Sequence, residues 1–253
     1  MRLRSGRSLP NFGSMDWIAA IEREGHALST AARHDFKAAV PACPGWDVND
    51  LLAHIGAIHH RVAILVRTAR TEPWSKDDDS APQPPSGNLL GWYEAGLADL
   101  LEAFRVADPS TPLWSWSGPV TGAFWLRRMT QETMIHRVDA EQATGVAGPV
   151  DATLAVDGID ELFNLFLPRR HAGKATGQGE IIHVHATDAE GEWLLTLTGD
   201  GLSVERGHAK GDVAVRGPAG DLLLWLWGRQ PIDGLEVFGD AALANRFRDL
   251  AAI

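Results

Sequence analysis

From Asp16 to about Phe36 the apolar residues Ile18, Ile21, Ala27, Leu28, Ala31 and Ala32 recur at three- and four-residue spacing, which predicts an amphipathic helix. The "PACPGW" that follows must stop it. Asp47, with Asp50 three positions on as a reciprocal cap, then opens a second helix near Val48 that runs to about Ala69. Residues 71–87, "TEPWSKDDDSAPQPPSG", combine four prolines with an acidic run and read as a long polar connection. A third helix spans about 88–107, and "DPSTPLWSWSGPVTG" breaks the pattern again. The fourth runs from about 123 to 144 and ends before "GVAGP". Facing helices of this kind suggest a four-helix bundle able to project ligands into a shared core.

After Pro149 the texture changes. One more helix is predicted near 153–167, and then "EIIHVHAT", "EWLLTLTGD", "LSVERG" and "DVAVRG" alternate or run apolar between Gly and Asp turns. That is the pattern of short strands in a meander. Two helical segments, "PAGDLLLWLWG" and "DAALANRFRDLA", close the chain. The expected organisation is a leader over 1–14, a helical bundle over 15–148 and a small α+β domain over 149–253.

Composition narrows the partners. A formal charge of −10 across 253 residues argues against nucleic acid, whose binders need clustered Lys and Arg to displace counterions. Cys43 is the single cysteine, so no internal disulfide can form, and no apolar run approaches the ~20 residues that span a bilayer. The basic start, "MRLRSGRSLPNFGS", lacks the apolar core of a secretion signal. A cytoplasmic protein, monomeric or dimeric, acting on small molecules is the expectation.

The candidate chemistry lies in "TQETMIHRVDAE", where Glu132 and His136 stand four apart on the fourth helix and share a face. Such a pair is either an ordinary surface contact or two ligands of a metal site. A catalytic Zn²⁺ takes three protein ligands and keeps a fourth position open, and an adjacent helix can supply the third. His54 is the candidate, because Leu51, Leu52 and Ile55 mark its side of "DLLAHIG" as buried. His59 and His60 fall off that stripe.

"PACPGWDVNDLLAHIGAIHHR" followed, after the Pro-rich gap, by "WLRRMTQETMIHRVDAE" and a late "DLLLWLWGR" resembles the mycothiol-dependent maleylpyruvate isomerase family of the DinB-like metal-binding superfamily. The resemblance implies a DinB-like four-helix bundle joined to an α+β domain similar to sterol-carrier folds. It implies a zinc or other divalent metal site of His54, Glu132 and His136. It also implies mycothiol, the actinobacterial counterpart of glutathione, as co-substrate for addition to an electrophilic small molecule, by an isomerase or an S-transferase. Arg229, ending "DLLLWLWGR", matches a family arginine directed toward the cleft and would clamp a substrate carboxylate. A helix-end arginine interacting with the macrodipole is an equal alternative. Two other readings stay open: zinc-bound water hydrolysing or hydrating a substrate, and a non-catalytic carrier of a small apolar ligand.

Other residues invite simpler readings. Arg137 and Asp139 flank His136; Asp139 can accept a ligand histidine's second N–H, but a solvated helix face explains both. Glu141 reads as structural. Cys43 reads as a small buried residue in a turn rather than a nucleophile. Trp74, Trp114, Trp116 and Trp125 can wall a cleft, whereas Trp17, Trp225 and Trp227 read as core and Trp46 as a turn anchor. His183 and His185 alternate on one strand and face one side, but with no third candidate near in sequence they read as ordinary strand residues.

Overall fold

The computed structural model describes residues 15–74 and 82–251. The leader over 1–14 and the "KDDDS" run lie outside the described residues. Four long helices come first: α1 (Trp17–Ala32), α2 (Val48–Arg67), α3 (Leu89–Val106) and α4 (Gly122–Thr144), with a two-strand hairpin of β1 (Pro112–Leu113) and β2 (Val120–Thr121) before α4. Then follow α5 (Ala152–Glu161), a π-helical turn and the short α6 (Leu167–Arg170). Strands β3 (Ile181–Ala186), β4 (Glu192–Thr198), β5 (Gly201–Arg206) and β6 (Val213–Gly217) lead to α7 (Ala219–Leu226), β7 (Glu236–Gly239) and α8 (Ala241–Ala251). A helical N-terminal region is thus followed by a sheet-containing one, and the fold is α+β overall.

The capping expected at the start of α2 is present. Asp50 N–H donates to Asp47 Oδ1 at 3.1 Å, and Asp47 N–H donates to Asp50 Oδ2 at 3.0 Å, so each otherwise orphaned amide finds its acceptor in the other residue's side chain. Just before it, Val40 N–H donates to the Trp46 carbonyl, and Gly45 turns the chain at φ +87°, a conformation that disfavours any side chain.

By contact density the chain forms two compact units, one of residues up to Thr30 with Leu52–Arg137, the other of Ala31–Leu51 with Val138–Ile253. In the first, Ile21 of α1, Val62 and Leu65 of α2, Leu97 and Leu100 of α3, and Trp125 and Met129 of α4 form one apolar core. Each helix thereby buries a face that water would otherwise surround, and Ile21 belongs to the stripe read from spacing on the first of them.

The second unit holds a five-stranded sheet of order β5-β4-β3-β6-β7. Alternation puts Ile182, Val184, Trp193, Leu195, Val213 and Val215 on its fully buried face, with α7 and α8 packed on β6. The meander reading holds only for β3, β4 and β5. β6 instead lies parallel to β3, and β7, absent from the sequence reading, pairs antiparallel on its far side. Residues 207–212 cross back over the sheet to achieve this, with Gly207 N–H donating to the Glu192 carbonyl at 3.2 Å and Asp212 N–H to the Ile181 carbonyl at 2.8 Å. The crossover has no apolar period, so spacing could not reveal it.

Two further expectations change. Trp17 is only half-buried at the start of α1, although Trp225 and Trp227 are core residues as read. The register also sets Glu192 opposite His185, so His183 and His185 do have a third potential ligand beside them.

Candidate metal centre

α2 and α4 are held in the common core by their apolar residues, and this brings His54, Glu132 and His136 together. Their donor atoms all lie within 4.8 Å of one another. His136 Nε2 is 3.4 Å and His54 Nε2 3.6 Å from the same oxygen, Glu132 Oε1. The two imidazoles meet edge to face, with centroids 5.0 Å apart and planes at 81°. A tetrahedral Zn²⁺ with bonds of about 2.0–2.1 Å separates neighbouring ligand atoms by about 3.3 Å. Two nitrogens and one carboxylate oxygen therefore fit such an ion with small side-chain adjustments.

The other carboxylate oxygen is occupied. Arg128, four residues earlier and buried, donates its Nη2 to Glu132 Oε2, which fixes the carboxylate with Oε1 turned to the imidazoles. Burial alone would raise the Glu132 pKa, but the Arg128 guanidinium and the hydrogen bonds from His136 and His54 outweigh it and hold the carboxyl well below its usual range. The acid is ionised at neutral pH, as a ligand must be. Sequence reading passed over Arg128, although its four-residue spacing from Glu132 is itself a helical ion-pair signal. His136 is nearly buried, whereas the His54 side chain is 37% exposed, so the cluster opens to solvent on the α2 side.

His59, set aside from its position on the helix, is fully buried behind this cluster. Thr133 Oγ1 donates to the Met129 carbonyl at 2.7 Å and so accepts from His59 Nε2–H at 2.9 Å, which leaves His59 Nδ1 as a buried acceptor without a hydrogen-bond partner among the described residues. Burial, only partly opposed by the charge of Glu132, drives its pKa down to about 3. Because the folded pKa lies below the unfolded value near 6.5, this histidine's contribution is complete above about pH 6.5 and lost as pH falls toward 3. The His59→Gln variant is therefore expected to lose up to about 1.4 kcal/mol per pH unit of the acid-side slope of stability between those limits, measured by urea unfolding at stepped pH.

The polar residues of α4 do not form a solvated face. Arg137, Asp139 and Glu141 are all buried. Arg137 Nε donates to Glu24 Oε2 at 2.8 Å, and Glu141 Oε2 accepts from Gly148 N–H at 3.0 Å. Helical spacing could not show this, because the partners lie far away in the chain or in a loop. Asp139 is engaged by Arg229, whose Nε and Nη2 donate to its two oxygens at 3.0 and 3.1 Å while Nη1 donates to the Trp227 carbonyl at 2.8 Å. Arg229 also borders a surface depression of about 540 Å³ with Arg248 and Asp249. Cys43 is half-buried; burial, then the Asp139 charge, raises its thiol pKa against the opposing pull of Arg229, which is the reverse of an activated nucleophile. Of the tryptophans assigned to a cleft wall, Trp125 is buried and donates Nε1–H to the Trp114 carbonyl, Trp74 lies under Arg70, and Trp116 is exposed.

No helix among the described residues is long and apolar enough to cross a membrane. The fold is shared with two solved structures, the mycothiol-dependent maleylpyruvate isomerase and a mutant of it. Each is 15% identical over 90% of this chain and 95% of its own, with TM-scores of 0.63 for the first and 0.65 for the mutant. A search of curated proteins gave no match. Residues 18–141 match the model of the mycothiol maleylpyruvate isomerase N-terminal domain, and residues 153–246 match that of the C-terminal domain found in the same enzymes. With both halves accounted for in order, the chain belongs to the mycothiol maleylpyruvate isomerase family.

Proposed function

We propose that this protein is a thiol-dependent isomerase in which mycothiol adds reversibly to the double bond of a small electrophilic substrate, using a divalent metal, best Zn²⁺, held by His54, Glu132 and His136. The observation that carries the reading is the convergence of two imidazole nitrogens on one oxygen of a carboxylate whose other oxygen is tied to Arg128. When bound, such an ion would bring a coordinating thiol to the thiolate form at neutral pH, where the free thiol is mostly protonated.

The chain's own residues prepare the rest. Arg128 keeps Glu132 charged and holds its Oε2. The partly exposed His54 edge gives the thiol and its substrate an approach from solvent, while the nearly buried His136 anchors the other side. Neutral His59 keeps a second positive charge away from a site that has to accept a cation. In an isomerase the sulfur adds to one carbon of a cis double bond, the resulting single bond rotates, and elimination returns both the trans product and the thiol. The thiol is then not consumed.

Maleylpyruvate, the substrate named for the structural relatives, is the first compound to assay. Isomerisation is expected only when both mycothiol and metal are present, with the total thiol concentration unchanged at the end. Stoichiometric loss of thiol would instead make the protein an S-transferase. Turnover that persists undiminished without any thiol would replace the proposal with metal-assisted hydrolysis or hydration.

A further inference from the structure

The outer face of the sheet in the second unit gathers three histidines and a carboxylate that have no part in the chemistry above. Alternation turns His183 and His185 of β3 away from the buried face. The antiparallel register sets Glu192 of β4 directly opposite His185, and the crossover after β5 brings His208 down onto the same carboxylate. Glu192 Oε1 lies 3.2 Å from His185 Nε2, and Glu192 Oε2 lies 3.1 Å from His208 Nδ1 and 3.9 Å from His183 Nε2. The ring centroids of His183 stand 5.8 Å from His185 and 5.2 Å from His208. Donor atoms of His183, His185 and Glu192 all lie within 4.8 Å of one another, a spacing that small side-chain adjustments bring to the edge of about 3.3 Å of a four-coordinate zinc site, while His208, its ring 6.5 Å from that of His185, reaches the set through Glu192 Oε2.

One atom makes this more than a surface ion pair. The His183 side chain is only 8% exposed, and its Nε2, turned toward Glu192, has no hydrogen-bond partner among the described residues. Buried polar atoms are almost always satisfied, and an orphaned imidazole nitrogen facing two more imidazoles and a carboxylate has the surroundings of a metal ligand. Burial also holds the His183 pKa below its ordinary value, which favours the neutral ring that ligation needs.

We propose that His183, His185, Glu192 and His208 form a second divalent-metal site, a closed three-histidine, one-carboxylate set suited to Zn²⁺. The ligands come from two strands and the crossover, so the ion ties residues 207–212 to the sheet they cross. With all four positions taken by protein, this site stabilises rather than catalyses. It depends on β3, β4 and the crossover alone, and its test is kept separate from that of the first centre.

The measurement uses the full chain carrying His54→Ala and His136→Ala, freed of metal by a chelator and then titrated with Zn²⁺ and with Co²⁺. One Zn²⁺ per chain is expected to remain bound, Co²⁺ should give the intense visible bands of a four-coordinate centre, and the thermal midpoint should rise by several degrees when metal is in excess. Adding His183→Ala should abolish the stoichiometric binding. Because His183 is buried, His208→Ala on the exposed crossover provides an independent check, expected to weaken affinity by roughly tenfold or more. Zero stoichiometry in the parent, a weak six-coordinate cobalt spectrum, or affinity unchanged in both ligand variants would overturn the site.

Discussion

Replacing His54, Glu132 or His136 by alanine is expected to remove the metal from the first centre and to lower thiol-dependent turnover by roughly 10³-fold or more, since metal stabilisation of developing charge supplies several kcal/mol. The three variants should differ in what else they lose. Glu132→Ala removes the carboxylate that the buried Arg128 guanidinium engages, so it is expected to cost stability as well as metal. His54→Ala removes a half-exposed ring and should leave the fold almost unchanged. Metal content by elemental analysis, read beside the urea midpoint of each variant, separates the two effects. Full metal occupancy of the first centre in all three variants would end the assignment; counting it requires the histidine cluster on the sheet to be disabled in the same protein.

Loss of either partner in the Arg229–Asp139 pair is expected to destabilise the second unit by about 3–5 kcal/mol, because it removes a two-point charged contact from a buried site. Asp139 is wholly inaccessible, and Arg229 is nearly so, which makes this pair unlike the exposed ion pairs elsewhere on the chain. Arg229→Met and Asp139→Leu made together should recover much of the loss, since an apolar pair needs no desolvated charge, and a double-mutant cycle by urea unfolding measures the coupling. The same residue can be examined as a carboxylate anchor. Arg229→Lys keeps the charge but loses the planar fork, so a rise in KM beyond any change in stability would report contact with substrate. An Arg229→Met variant as stable as the parent would refute the structural role.

The four long helices were legible because their signals are local. The first follows from a stripe of spaced apolar residues, the other three from the caps and the Pro- and Gly-rich terminators around them, and the reciprocal Asp47–Asp50 cap is legible in two acids three positions apart. His54 was singled out by the apolar residues around it, and Glu132 with His136 by their four-residue spacing. What spacing could not decide was whether these residues would meet. The polar character of α4 misled for the same reason: Arg137 finds Glu24 113 positions away and Asp139 finds Arg229 90 positions away, so a helix that looks solvated in sequence is buried in the fold. The second histidine cluster escaped notice because Glu192 is brought to His185 by a hairpin register and His208 by a crossover, neither of which leaves a periodic trace.

Sequence by itself determined the four long helices and strands β3 to β6, the order of a helical half before a sheet-containing half, and the residue types able to bind metal, since each rests on side-chain periodicity and caps acting within a few residues. Tertiary structure decided which charges are paired, which imidazoles share a carboxylate, and which oxygen of Glu132 faces them. Those outcomes depend on burial and on approaches of a few ångströms between segments distant in the chain, where low dielectric makes a partner necessary and only packing can supply one.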